Sequence, residues 1–378
     1  MREVGRHLFL PGFPLAEAYS AGAVVTHRDP EGIAVSSASA PGVVAGMLGQ
    51  LDVQPGHRIL EIGAGTGYNA ALLGSLAGPD GTVATLDIDA RVADEAREHL
   101  AAAGARNVTV ICGDGELGFP ENAPYDRIIV TAGAWDLPPA WAGQLTPGGL
   151  LVVPLRMRGL TRSVAFRRED GYWLSQSMSE LGFMPMRGAG GMPERNLRLG
   201  QHSDIVLRVD DRQAADALAL SAALDYPAAL VWTGVSLPES GTGDLDFWLA
   251  GIAGFARLLV TSPDAIARGF TAPVYDWGSM AIFEHGSLAY LTERPGPGAG
   301  LPELGICAFG PDAGQLAGRA AGQIQAWDRD RKRISRLWIE AHPPDSGDAP
   351  GDLMVVDKRH TRIVVRTAPA AFPHNEIL

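Results

Sequence analysis

The sequence Leu60-Glu61-Ile62-Gly63-Ala64-Gly65-Thr66-Gly67-Tyr68 places three glycines at alternate positions between an apolar run and an amphipathic stretch. That context makes them a strand-to-helix turn. Glycines there let the backbone turn sharply and come close to a ligand, and the helix beyond opens with unpaired N–H donors. The G-x-G-x-G spacing is shared by several nucleotide-binding folds and differs from the dinucleotide G-x-G-x-x-G. The same glycines also suit a tight turn with no ligand.

Two carboxylates follow in the order that a nucleoside site needs. Asp87 ends the next apolar run, in Thr85-Leu86-Asp87-Ile88-Asp89, where it can accept hydrogen bonds from both hydroxyls of a ribose. Asp89 is the alternative, but the residue at the strand end is better aimed. Asp114, in Gly113-Asp114-Gly115 after the third run, can meet the exocyclic amine of an adenine. Either acid could instead be an ordinary turn residue. Cys112 has apolar neighbours and is expected to be a small buried hydrophobe.

These residues must be positioned by alternating strands and helices. Strands are predicted at Arg58–Ile62, Thr82–Asp87, Val108–Cys112, Arg127–Thr131 and Leu150–Val153, with helices at Tyr68–Ala77 and Ala90–Ala103. This alternation is the pattern of βαβ units, hence a doubly wound, mostly parallel sheet. Ser163–Arg167 and Tyr172–Gln176 are joined by a short polar link and should add an antiparallel hairpin. Gly188-Ala189-Gly190-Gly191-Met192-Pro193 is turn-rich, and a domain boundary is placed there, giving domains at 1–190 and 191–378. The second half mixes strand-like runs with helices at Arg212–Leu224 and Ala313–Trp327, as in an α/β or α+β domain. Glu293–Pro302 and Pro343–Gly351 read as loops.

Composition narrows the function. The 378 residues carry 31 Lys+Arg against 43 Asp+Glu, a net charge of −12, which argues against a broad nucleic-acid footprint. An N/D-P-P-Y/F motif for a flipped base is absent as well. The mean hydropathy of +0.04 suits packed cores, and no apolar run is long and unbroken enough to be a membrane span. Two cysteines far apart, with no metal-ligand spacing, give no metal site and suggest a reducing, cytoplasmic location. The alternating charges of Asp328–Arg333 suit a solvated helix face. Trp232, Trp248, Trp277, Trp327 and Trp338 are expected mainly in a core.

The order EIGAGTGY, LDID, GDG, YDRIIVTAGA, LTPGGLLVVP resembles S-adenosylmethionine-dependent methyltransferases, and among them the protein-L-isoaspartate O-methyltransferase family. Arg6-His7-Leu8-Phe9-Leu10-Pro11 with Ala18-Tyr19, Ser37-Ala38-Ser39-Ala40-Pro41 and Phe183-Met184-Pro185 are similar to that family's N-terminal, substrate-loop and closing motifs. The resemblance covers residues 1–190 and implies a Rossmann-like methyltransferase fold with S-adenosyl-L-methionine as cofactor. It implies cofactor contacts at Glu61, Gly63, Ala64, Gly65, Tyr68, Asp87, Ile88, Asp114, Gly115 and Thr131, with Ser39 orienting the acceptor carboxylate. Ser39 could otherwise bond its own loop, and Thr131 could be a structural strand residue.

Two departures fall on the acceptor side. The family's Gln before the loop motif and side chain after its proline are replaced by Ser36 and Gly42. Leu160-Thr161-Arg162-Ser163-Val164 stands where the family has Gln-x-Leu in its substrate region. Together with the long C-terminal half, they favour a carboxyl O-methyltransferase that acts on an aspartate or isoaspartate of a ribosomally made peptide, over housekeeping isoaspartate repair. A non-catalytic S-adenosylmethionine- or peptide-binding regulator is the reading from another class. The acceptor and the oligomeric state stay open. A chain ending near Gly190, provided it folds, should still bind the cofactor but lose most methylation of its native acceptor.

Overall fold

The computed structural model describes residues 3–30, 32–192, 195–209, 213–237, 244–270, 274, 278–296, 300–331, 334–347 and 352–369. The N-terminal segment gives a short helix α1 (Leu15–Ala18), a two-stranded hairpin of β1 (Val24–Arg28) and β2 (Ala34–Ala38), and helix α2 (Pro41–Leu51). The predicted alternation then follows as β3 (Arg58–Ile62), α3 (Tyr68–Ala77), β4 (Thr82–Asp87), α4 (Ala90–Ala102), β5 (Val108–Cys112), β6 (Tyr125–Val130), α5 (Pro139–Gln144) and β7 (Leu145–Met157). Strands β3 to β7 run parallel, with Leu60 opposite both Ala84 and Ile128. The inner strands carry near-continuous apolar runs because both of their faces are covered, whereas β5, at the edge, is only half-buried. Strands β8 (Leu160–Arg168) and β9 (Trp173–Glu180) continue the sheet antiparallel, as the short link requires.

The order β5-β4-β3-β6-β7 reverses direction at β3. Ligands of such sheets bind outside the carboxyl ends of the strands at that switch point. The glycine turn that follows β3 lies there.

A separate seven-stranded antiparallel sheet contains β10 (Arg195–Leu199), β11 (Ile205–Val209), β12 (Ala229–Ser236), β13 (Phe255–Val260), β14 (Ser279–Glu284), β15 (Ser287–Arg294) and β16 (Glu303–Phe309). Helices α6 (Ala217–Ala223), α7 (Leu245–Ala250), α8 (Pro263–Ala267) and α9 (Ala313–Asp330) accompany it, an α+β arrangement. Helix α9 buries Leu316, Ala317, Ala320, Ala321, Ile324 and Trp327, a stripe at helical spacing.

Strands β17 (Ile334–His342), β18 (Asp352–Asp357) and β19 (Arg362–Pro369) do not belong to that second sheet. They return to the edge of the first, making it ten-stranded in the order β18-β19-β17-β9-β8-β7-β6-β3-β4-β5. The division expected at residue 190 therefore separates the two sheets but not the last three strands, which cross back over it. Strand β9 leaves an open edge, and pairing satisfies its backbone groups. Glu340 lies opposite Leu174, and the Ile339 N–H donates to Ser175 Oγ at 2.8 Å. One apolar cluster also runs from Leu60 and Trp141 through Phe166 to Phe247, Ile306, Trp327 and Ile363, joining both sheets.

Several local expectations change. Leu160, Arg162, Ser163 and Val164 are buried in β8. Arg162 pairs with buried Asp246 of α7, which lies 3.7 Å from Arg257, so this stretch is an inter-sheet junction. Glu293 and Arg294 end β15 instead of lying in a loop, and Arg294 covers the Trp232 ring. Trp327 is core, whereas Trp248 and Trp338 donate to Gln323 and Glu340; Trp277 lies outside the described residues. Cys112 is exposed and Cys307 buried. Asp328 pairs with Arg331 at 2.6 Å, while Lys332 and Arg333 lie outside the described residues.

Candidate active site

The glycine turn is fixed from behind. Gly63 has φ +103°, and a Cβ there would lie 2.5 Å from Thr131 Oγ1, so any other residue would be strained and would displace the Thr131 hydroxyl. Thr131 Oγ1 donates to Gly63 O at 2.6 Å and Ile62 O at 3.1 Å. The Gly63 and Ala64 N–H groups both donate to Leu86 O at 2.8 Å. Gly67 caps α3 in the left-handed region with no side-chain cap, leaving the helix opening to face the cavity.

At the ends of the neighbouring strands stand the acids. Asp87 accepts from the Gly65 and Asp89 N–H groups, each at 3.1 Å, and burial raises its carboxyl above the ordinary value despite those bonds. Asp89 instead caps α4, accepting from Arg91 N; the helix-end N–H bonds outweigh its slight burial and hold its carboxyl low. Arg187 lies 3.9 Å from Asp87 and 3.6 Å from Asp89. Asp114 is committed to backbone, accepting from Glu116 N at 3.0 Å and Ala189 N at 2.8 Å. Glu61 is fully buried between Thr85 Oγ1 at 2.6 Å and Asn69 Nδ2 at 2.7 Å, and burial pushes its carboxyl up to about 7.

These groups surround a cavity of about 560 Å³, within the range of small-molecule sites. Glu61, Gly63, Ala64, Gly65, Tyr68, Asp87, Ile88, Gly115 and Thr131 line it, and so does Ser39 on the loop after β2. Asp114 does not, although both its neighbours do. Ser39 Oγ makes no hydrogen bond to any described residue, which leaves it open to a ligand. Ser36 lines the cavity too, but Gly42 does not, nor does any residue of 160–164. The β1–β2 hairpin that presents Ser39 is tied down by Arg6, which donates to Ala18 O at 2.8 Å and Ala38 O at 3.2 Å and lies over the Tyr68 ring.

Sequence reasoning missed one wall of the cavity, Phe183 to Arg187. Phe183-Met184-Pro185 carries only a likeness in the sequence, and Arg187, beside the glycine-rich boundary, carries no local signal. The isolated bridge of Gly133 with Pro185 brings this segment in, a long-range pairing that local pattern does not reveal. Among the described residues, no cluster of His, Cys, Asp or Glu could hold a metal, and no helix is long and apolar enough to cross a membrane.

The cavity fits a nucleoside cofactor: a glycine floor that a Cβ would fill, a buried carboxylate at the next strand end and an apolar wall at Ile88. A parallel sheet with that site at its switch point defines a Rossmann-like, S-adenosylmethionine-dependent methyltransferase, an enzyme class. Residues 1–190 match the family described as protein-L-isoaspartate(D-aspartate) O-methyltransferase, half of the chain, and the chain belongs to that family. Protein-L-isoaspartate O-methyltransferase of Methanococcoides burtonii is 40% identical over 191 residues, 50% of this chain and 91% of the relative. That of Methanopyrus kandleri is 40% identical over 196 residues, 51% of this chain and 84% of the relative. A solved structure of a protein-L-isoaspartate O-methyltransferase aligns over 89% of both chains at 22% identity, with a TM-score of 0.49.

Proposed function

We propose that this enzyme methylates the side-chain carboxylate of an aspartate or isoaspartate in a ribosomally synthesised peptide. The observation that carries the chemistry is Ser39: a hydroxyl with no hydrogen-bond partner among the described residues, facing the cavity from a loop braced by Arg6. S-adenosylmethionine, when bound, supplies a methyl group on a sulfonium. Asp87 holds the ribose, Gly63, Ala64 and Gly65 let the backbone approach, Tyr68 and Ile88 form apolar walls, and Glu61 and Thr131 keep the floor in shape. Gly113 and Gly115 line the adenine end, with Asp114 fixing their loop from behind, and Ser39 orients the acceptor carboxylate by one donated hydrogen bond. That carboxylate is ionised at neutral pH, so no general base is needed and positioning does most of the work. The ester then loses methanol as the following backbone nitrogen attacks its carbonyl and the departing methoxide takes the amide proton. Water opens the resulting succinimide to isoaspartate.

The peptide-tailoring version is favoured by the second sheet, which is packed against the catalytic one and gives the C-terminal half a surface for substrate recognition. The names of the relatives favour repair of damaged proteins as the second reading. Incubation with labelled cofactor and candidate peptides tests the proposal. Label that is released by mild base is an ester; base-stable label, or none on any carboxylate-bearing peptide, rules it out.

A further inference from the structure

The loop that carries Asp114 is gripped by residues far outside the family-matched half. Asp114 opens the single turn Gly115–Leu117, from which Glu116 projects with its side chain 13% exposed. Glu116 Oε1 lies 3.2 Å from His360 Nε2 and 3.6 Å from Arg359 Nη1, and its Oε2 is buried with no hydrogen-bond partner. Arg359 and His360 sit in the turn between β18 and β19. Arg359 also donates to Ala189 O at 3.2 Å, and the Ala189 N–H is the donor to Asp114.

The turn is anchored in turn on the loop after β6. Asp136, buried, accepts from the His360 N–H and the Thr361 hydroxyl, each at 2.6 Å, and Lys358 Nζ donates to the carbonyls of Trp135 and Arg156. Thus one tight turn spans the loops after β5 and β6, both of which line the cavity through Gly113, Gly115, Thr131 and Ala132. It also holds the strap Arg187–Ala189, whose Gly188 is so close that a Cβ would lie 2.5 Å from Asp114 Oδ2 and 2.6 Å from Ile88 Cδ1.

We infer that the turn at residues 357–362 is a working part of the cofactor site, with Arg359 and His360 as positioning residues for the Asp114–Glu116 loop and the strap across it. This rests on the cofactor assignment of the cavity. Loops held in place before binding lose less conformational freedom on binding, so bracing appears as affinity. Without His360, Glu116 keeps a buried, poorly paired carboxylate, and the loop must move to solvate it.

The test uses the full chain and S-adenosylhomocysteine as probe, with its Kd read by calorimetry beside a thermal melt. His360→Ala, and the doubly substituted Arg359→Ala/His360→Ala, should weaken binding about three- to tenfold. The KM for S-adenosylmethionine should rise by the same factor, with kcat and the acceptor KM held. His360→Gln, whose amide can still donate to Glu116, should recover most of the affinity, and Arg319→Ala, an exposed residue of α9 that pairs with Glu284 of the second sheet, should leave it unchanged. Arg359 has its side chain 55% exposed, so Arg359→Ala alone gives a folded variant in case the others are unstable. Folded variants that bind as the wild type does, or that lose stability without losing affinity, overturn the inference alone. A wild-type chain that binds no S-adenosylhomocysteine overturns the cofactor assignment and the inference with it.

Discussion

The Asp87 carboxylate faces the cavity while accepting from Gly65 and Asp89, so its removal takes away a ribose ligand and loosens the glycine turn together. Asp87→Ala is expected to cost about 1.5–3 kcal/mol of cofactor affinity, on the order of tenfold or more. Calorimetry on the folded variant checks this, and an unchanged Kd would move the ribose contact to Asp89. Ser39→Ala should behave oppositely, lowering kcat while the cofactor Kd holds, because the cofactor's contacts lie on other loops. Wild-type turnover would make the hydroxyl a mere strut. Glu61 offers a pH test. Burial raises it from an ordinary 4.5 to about 7 in the folded chain, so between those values the native state keeps a proton that the unfolded state has released. Its contribution is therefore complete below about pH 4.5 and is lost as pH rises through 7, about 3 kcal/mol in all. Melting curves of the wild type should fall relative to Glu61→Gln between pH 5 and 8; parallel curves would show that the burial effect is absent.

Among elements, what was legible in the sequence is what local periodicity encodes. Strands β3 and β4 fall at their expected residues because their apolar runs are buried on both faces, and β5 does so as a half-buried edge strand. The glycine turn, Asp87 and Ser39 could be placed because each sits at a fixed offset from such an element. Partnership of distant segments was not legible. Nothing in Ile334–His342 says that it pairs with β9 instead of with the sheet beside it, since alternation reports burial and not the neighbour that provides it. The substrate-side reading of Leu160–Val164 failed for the same reason: its apolar residues suit a strand whichever surface covers them. Thr131 shows how an element's end serves the site. Thr131→Val removes the hydroxyl that joins β6 to the Gly63 turn and leaves the Gly63 carbonyl short of a donor, while the Ile62 carbonyl keeps the Thr131 N–H. A loss of about 1–2 kcal/mol in stability is expected, with a weaker cofactor Kd, and an unaltered denaturation midpoint would show that the turn holds itself.

Across the whole molecule, the two sheets depend on each other. Asp246 is buried between Arg162 of the first sheet and Arg257 of the second, so Asp246→Ala leaves two buried cations facing one another and should cost about 3–5 kcal/mol. A melt that scarcely moves would mean that solvent reaches the junction. The expectation that a chain ending near Gly190 keeps cofactor binding is therefore reversed: such a chain bares the edge of β9, exposes Leu160 and Phe166 and loses the turn that braces Glu116. On the proposed reading, the same dependence serves selectivity. Of the residues that depart from the family on the acceptor side, only Ser36 reaches the cavity, so local contacts alone offer little to choose one peptide. A second sheet that cannot move independently can hold a remote part of a long substrate at a fixed distance from Ser39, and binding energy gained there is spent on positioning the carboxylate. Short generic isoaspartyl peptides lack that remote part. The full chain should consequently show a kcat/KM on them that is at least tenfold below that on its own acceptor, with the deficit in kcat as well as KM, since positioning is what they lack. Steady-state kinetics on both substrates decide it, and equal efficiency would identify a repair enzyme whose second sheet is only a support.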